Sequence, residues 1–143
     1  MFNHNVTSDS ATSAVRRASA AIHETRSAME RRLAVLYEVY AREARRTLLP
    51  ADWQPEVTWS IVLEVYRARR DYETPSVKAV QLASGAPSST VIRHIDRLVA
   101  DGWMIRSRNP EDTRVTNLDL TVDGFGAVEK WADQAFSNIR SLM

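Results

Sequence analysis

Ser88, Ser89 and Thr90 stand one turn ahead of Arg93, and Arg97 follows four residues later. At a helix start these hydroxyls sit beside free backbone N–H groups and the positive dipole end, a setting that holds phosphate or, in a major groove, a base edge. Arg93 is within reach of the same groove, where a guanidinium either bridges O6 and N7 of guanine or clamps a phosphate. The spacing does not choose between the two. Arg97 continues toward the nucleic-acid backbone, although an internal ion pair competes for it. Plain helix capping is the alternative for the hydroxyls. A second basic pair, Arg108 and Arg114, flanks the polar turn residues that run to Thr113.

Other chemistries lack their residues. Histidines occur only at positions 4, 23 and 94, with no H-E-x-x-H spacing, and there is no P-loop, G-x-G-x-x-G or G-x-S-x-G pattern. Isolated Ser and Asp residues carry no catalytic implication without a base and an oxyanion site. The absence of cysteine removes disulfides, thiolate zinc sites and thiol nucleophiles. The expectation is therefore a binding protein, not an enzyme, with no metal and no cofactor. Lysine and arginine number 19 against 18 acidic residues, so nucleic-acid binding must rest on where the charges stand. From Gly85 to Leu118 the count is five arginines and four acids, which argues against tight non-specific binding. No apolar run reaches the roughly 18 to 20 residues of a membrane span, and the first residues lack the basic and apolar regions of a signal peptide. A cytoplasmic location without membrane contact is expected.

Elements must position these side chains. Residues 1–12 are polar and without period, and read as a flexible arm before a single domain over 13–143. From about 14 to 49 there is neither Gly nor Pro, and Ile22, Met29, Leu33, Leu36, Tyr40 and Ala44 form a stripe down one helix. A helix of roughly 35 residues would be about 50 Å long and would expose part of that stripe unless another chain covers it. Two shorter helices with a kink near Arg31 and Arg32 are the alternative. Thr58 reads as the N-cap of a helix from Trp59 to about Arg69, and Thr74-Pro75 as the start of a short helix ended by Gly85. Pro87 to Ala100 forms the next helix, with Val91, Ile95 and Leu98 inward. Two apolar-rich runs then flank the polar turn as a β-hairpin, and a last helix runs from Thr121 to the C-terminus. The fold class is mainly α with a small β-hairpin: a helix-turn-helix with a wing, its reading part at about 55–120 and candidate dimerisation helices at about 14–49 and 121–143.

From Ser88 to Gly124 the chain resembles the MarR family of winged-helix transcription regulators. Asp112, Arg114, Leu120, Thr121 and Gly124 fall at the intervals of that family's D-x-R and L-T-x-x-G wing. Ser89-Thr90-Val91, Arg93, Asp96-Arg97-Leu98 and Gly102 match its recognition-helix pattern. The resemblance implies a homodimer joined by helices from both ends of the chain. It places two recognition helices in successive major grooves of double-stranded DNA and the wings, through Arg114, in flanking minor grooves. Asp112 is expected to hold the arginine or the turn. The implied function is a sequence-specific regulator, in the main a repressor, on a pseudo-palindromic operator.

Two positions depart from the pattern. His94 stands where an aliphatic residue is common, and Ile92 where small polar residues are. Ile92 either faces outward, where it could meet thymine methyl groups, or packs inward and displaces His94 toward solvent. The resemblance also implies a small aromatic or phenolic effector between the dimer helices and the reading heads, for which Tyr37, Tyr40, Arg42, Trp53 and Trp59 are the candidates. Core packing explains the same aromatics. Only about 20 residues follow Gly124, so the first helix is expected to carry more of the dimer contact. The competing class is a winged-helix protein-interaction or assembly module, in which Arg93 and Arg114 meet an acidic protein surface.

Overall fold

The computed structural model describes residues 5–143. Helix α1 (Asn5–Leu48) is followed by a 3₁₀ turn (Ala51–Trp53), α2 (Glu56–Arg70), α3 (Val77–Ser84) and α4 (Ser88–Ala100). Strands β1 (Met104–Arg108) and β2 (Thr116–Leu120) then lead to α5 (Val122–Arg140). Mainly helical with one antiparallel hairpin, this is the winged helix-turn-helix expected from the sequence. The described residues divide into two compact units, one ending at Val39 and the other beginning at Tyr40.

The described residues of the first unit are helical throughout. The arm expected over residues 1–12 is corrected here: helix begins at Asn5, while residues 1–4, His4 among them, lie outside the described residues. Once a helix is nucleated each added residue costs little, and the hydroxyls join in, as Thr12 Oγ1 donates to the Ser8 carbonyl at 2.8 Å. Arg26 and Glu30 pair one turn apart at 3.0 Å. The helix has no break at Arg31 and Arg32. Its apolar positions Val15, Ile22 and Met29 are all exposed.

In the second unit α2 runs through the core. Ile61, Val62 and Val65 meet Val80 of α3, Val91, Ile95 and Leu98 of α4, Met104, Leu118 and Leu120 of the hairpin, and Val128 and Ala135 of α5. Apolar residues three and four apart on each helix make this one continuous core. Two helix starts differ from expectation. Pro55, with φ −58°, precedes a helix that opens at Glu56, so Thr58 lies inside α2, buried, instead of capping it. Ser76, not Thr74, caps α3 by accepting from the Ala79 N–H at 3.0 Å. The reason is that Pro75 stays extended to pair with the hairpin: its carbonyl accepts from Leu118 N–H at 2.9 Å, and Ser76 bridges Asn117.

The hairpin register runs from Met104 opposite Leu120 to Arg108 opposite Thr116. Gly102 ends α4 with φ 79°, a conformation glycine reaches without steric cost. Thr121 caps α5 by accepting from Gly124 N–H at 3.0 Å and donates to the Gly102 carbonyl at 2.7 Å, which fastens the wing's exit to its entrance.

Candidate nucleic-acid interface

The phase of α4 decides what it can present. Val91, Ile95 and Leu98 are buried, so Ser88, Ser89, Ile92, Arg93, Asp96 and Arg97 face out and Thr90 lies at the margin. Ile92, at 44% exposed, is on the outer face. His94 turns the other way: its Nδ1 lies 2.8 Å from the Thr58 hydroxyl of α2. Partial burial, reinforced by the neighbouring Arg93 and Arg97 charges, holds the His94 pKa below the ordinary histidine value. The alternative left open by the sequence is thus resolved toward an outward Ile92.

The hydroxyls at the entrance of α4 do not cap it. Pro87 occupies the N-cap position without a side-chain cap bond, and Ser88 donates to Gln81 Oε1 of α3 at 3.2 Å. The first N–H groups of α4 therefore lack a side-chain cap, as an anion or base-edge site at a helix start requires. Arg93 is exposed. Arg97 is partly committed, since its Nε lies 3.3 Å from Asp52 Oδ2 in the 3₁₀ turn.

At the wing tip, Asn109 Oδ1 accepts from the N–H groups of Glu111 at 2.8 Å and Asp112 at 3.1 Å, an Asx-type fold of the turn. Asp112 then grips Arg114 three times: Oδ1 accepts from its backbone N–H at 3.1 Å and its Nε at 3.0 Å, and Oδ2 from Nη2 at 3.1 Å. The guanidinium bonds first, and the backbone bond second, hold the Asp112 pKa below the usual carboxylate value. Arg114 is nonetheless 89% exposed in its side chain, so it is oriented by its partner and open to another. Arg108, at the end of β1, is exposed as well.

Between α3, α4 and the wing lies an open groove of about 700 Å³ whose walls include Lys78, Gln81, Leu82, Ile92, Arg106 and Arg114. Sequence reasoning missed Lys78, Gln81, Leu82 and Arg106. The signal for the first three was present as a spacing of three and four on α3, opposite the buried Val80. Arg106 could not be found that way, because its side chain is claimed by Asp96, an ion pair that joins the wing to α4.

The effector candidates are dispersed. Trp53 is fully buried and packs edge-on against Trp103 at 5.3 Å, while Trp59 is buried edge-on against Trp131 at 4.7 Å. Both serve the core. Tyr40 is half-buried and Arg42 exposed in the same unit, whereas Tyr37 belongs to the N-terminal unit. Arg45, not singled out in the sequence, is the cation facing the aromatics. Its guanidinium lies 5.3 Å from the Trp59 ring centre and bonds Glu56 at 2.8 Å. Among the described residues no group of three or more His, Asp or Glu side chains converges as a metal site, and no helix is long and apolar enough to cross a membrane.

The model of the MarR family matches residues 71–116, from the turn before α3 to the start of β2. That segment holds α4 and the D-x-R of the hairpin, and the resemblance read from those residues is borne out there. No curated protein matches the sequence. Among solved structures, the transcriptional regulator Tm0710 from Thermotoga maritima is similar with TM-score 0.62 and 21% identity, over 83% of this chain and 78% of that one. The MepR–DNA complex of S. aureus is similar with TM-score 0.57 and 19% identity, over 78% of this chain and 85% of that one. NadR in complex with 4-hydroxyphenylacetate is similar with TM-score 0.54 and 15% identity, over 86% of this chain and 76% of that one.

 The sequence likeness in each case is low, and what these three share with the chain is the fold.

Proposed function

We propose that the chain is a homodimeric, sequence-specific DNA-binding regulator of transcription, acting as a repressor on a pseudo-palindromic operator. The observation that carries this reading is that the wing arginine Arg114 and the outward Ile92 of α4 line one groove, so helix and wing address a single partner surface. In this reading the uncapped start of α4 and Arg93 enter a major groove and Arg114 the adjacent minor groove. Lys78 and Arg108 supply further positive charge toward the phosphates. The DNA complex of MepR, which shares the fold, supports the same docking. A second copy covers the exposed Val15, Ile22 and Met29 of α1 and the exposed Phe136 of α5. A small aromatic anion as effector finds support in the 4-hydroxyphenylacetate complex of NadR.

Selection from randomised DNA, run with the native protein and with Arg93→Ala, tests the reading. The native dimer should enrich a pseudo-palindrome. If Arg93 bridges a guanine, its loss flattens one base-pair preference per half-site by about 1–3 kcal/mol; if it clamps phosphate, affinity falls uniformly and the profile stays. Arg114→Ala should lower the slope of log affinity on log salt by roughly one per lost phosphate contact. Sedimentation equilibrium should give about twice the chain mass of 16.2 kDa. A folded native dimer that enriches no sequence would shift the reading to a protein-interaction module.

A further inference from the structure

We propose that Leu82 and Ile92 together form an apolar reader of a thymine C5-methyl group, an inference that rests on the DNA-binding reading above. Two large aliphatic side chains stand open to water on this face: Leu82 of α3 is 72% exposed and Ile92 of α4 is 44% exposed. They line the same groove, whose other walls include Lys78, Gln81, Arg106 and Arg114. Apolar side chains set beside Lys78, Gln81 and Arg114 match a partner surface that is itself mostly polar and anionic with small apolar points.

Helix phase holds Ile92 there. Val91 and Ile95 are fully buried on either side of it, and His94 is bonded inward to Thr58 at 2.8 Å. Turning Ile92 inward would expose Val91 or Ile95 and break that bond. Ser89, one turn earlier on α4, and Arg93 beside it are exposed polar neighbours of Ile92 on the outward side of the helix. In the major groove the C5-methyl of thymine is the one methyl group among base edges that otherwise present mainly hydrogen-bond donors and acceptors. Burial of that methyl against Ile92 and Leu82 is favourable without any hydrogen bond. Covering one such carbon group corresponds to about fourfold in affinity, from roughly 0.8 kcal/mol per buried methylene.

The test uses the duplex enriched by the native protein, with each thymine replaced in turn by deoxyuridine, which lacks only the methyl. Fluorescence anisotropy should show a loss of about fourfold at one thymine in each half-site and little change elsewhere. Ile92→Ser should bind the thymine and deoxyuridine duplexes equally, Ile92→Val should keep the preference, and Leu82→Ser should shrink it. Circular dichroism confirms that each variant is folded, as expected for exposed positions. A native protein that enriches a sequence yet is indifferent to every replacement overturns the methyl reader and leaves the DNA-binding reading standing. Full discrimination retained by Ile92→Ser likewise overturns it. Enrichment of no sequence overturns the DNA-binding reading, and the reader with it.

Discussion

The Thr58 hydroxyl and Nδ1 of His94 lie 2.8 Å apart, tying the buried helix α2 to the outward helix α4. In a neutral ring carrying its proton on Nε2, Nδ1 accepts from that hydroxyl, and a buried threonine thereby finds its partner in a position where related patterns carry an aliphatic residue. The bond acts with the buried Val91, Ile95 and Leu98 to fix the rotation of α4, and the rotation sets which residues face outward.

Thr58→Val keeps the shape of the side chain and removes the donor, leaving Nδ1 without its partner at a half-buried site. Unfolding in urea should show a loss of about 1–3 kcal/mol. An unchanged midpoint would mean that the bond contributes nothing net.

Stability should also depend on pH through His94. Its pKa in the folded chain is lowered by partial burial and by Arg93 and Arg97, the latter itself paired with Asp52. The unfolded chain therefore takes up the proton first as pH falls. The His94 contribution is complete above the unfolded value of about 6.5 and is lost as pH falls through the folded value. His94→Asn, which keeps an acceptor for Thr58 but does not titrate, should flatten the decline in stability between about pH 7 and 5. An identical decline in both proteins would remove His94 as its source.

Gly124 and Gly126, both in α5, should respond in opposite directions to alanine. A Cβ on Gly124 would sit 2.2 Å from the Trp103 carbonyl oxygen, a backbone atom held by Thr121 N–H at 3.1 Å. Overpacking against backbone should cost about 3 kcal/mol. A Cβ on Gly126 meets nothing within 4 Å, so Gly126→Ala should gain up to about 1 kcal/mol from helix propensity. Thermal unfolding of the two variants checks both signs.

Tyr72 follows α2 with φ 58° and is fully exposed. The next N–H, of Glu73, returns to the Ala68 carbonyl at 2.8 Å, closing the helix with Tyr72 where glycine is usual. Tyr72→Gly should therefore stabilise the chain by about 1 kcal/mol, read as a higher urea midpoint. A loss of stability would show that the tyrosine ring makes a contribution its exposure hides.

The sequence by itself determined the element order, because apolar residues at three- and four-residue spacing must be buried together: Val91, Ile95 and Leu98 on α4, and Ile61, Val62 and Val65 on α2. It also marked the wing, since Asp112 two residues before Arg114 is close enough to grip it whatever the rest of the chain does. Local chemistry of that kind is legible because both partners lie on one short stretch.

Tertiary structure decided what depends on partners distant in sequence. Thr58 reads as a cap and is a buried tether, because Pro55 starts the helix early and His94 arrives from α4 to meet the hydroxyl. Ser76 caps α3 in place of Thr74 because Pro75 is held extended by Leu118. The candidate aromatics Trp53 and Trp59 go to the core because Trp103 and Trp131 cover them, and Arg106 joins the site's framework through Asp96. The rotation of α4 belongs with these. Its apolar stripe permits either Ile92 or His94 at the margin, and the burial of Val91 and Ile95 together with the Thr58 hydroxyl, supplied by another helix, turns the histidine in and leaves the isoleucine out.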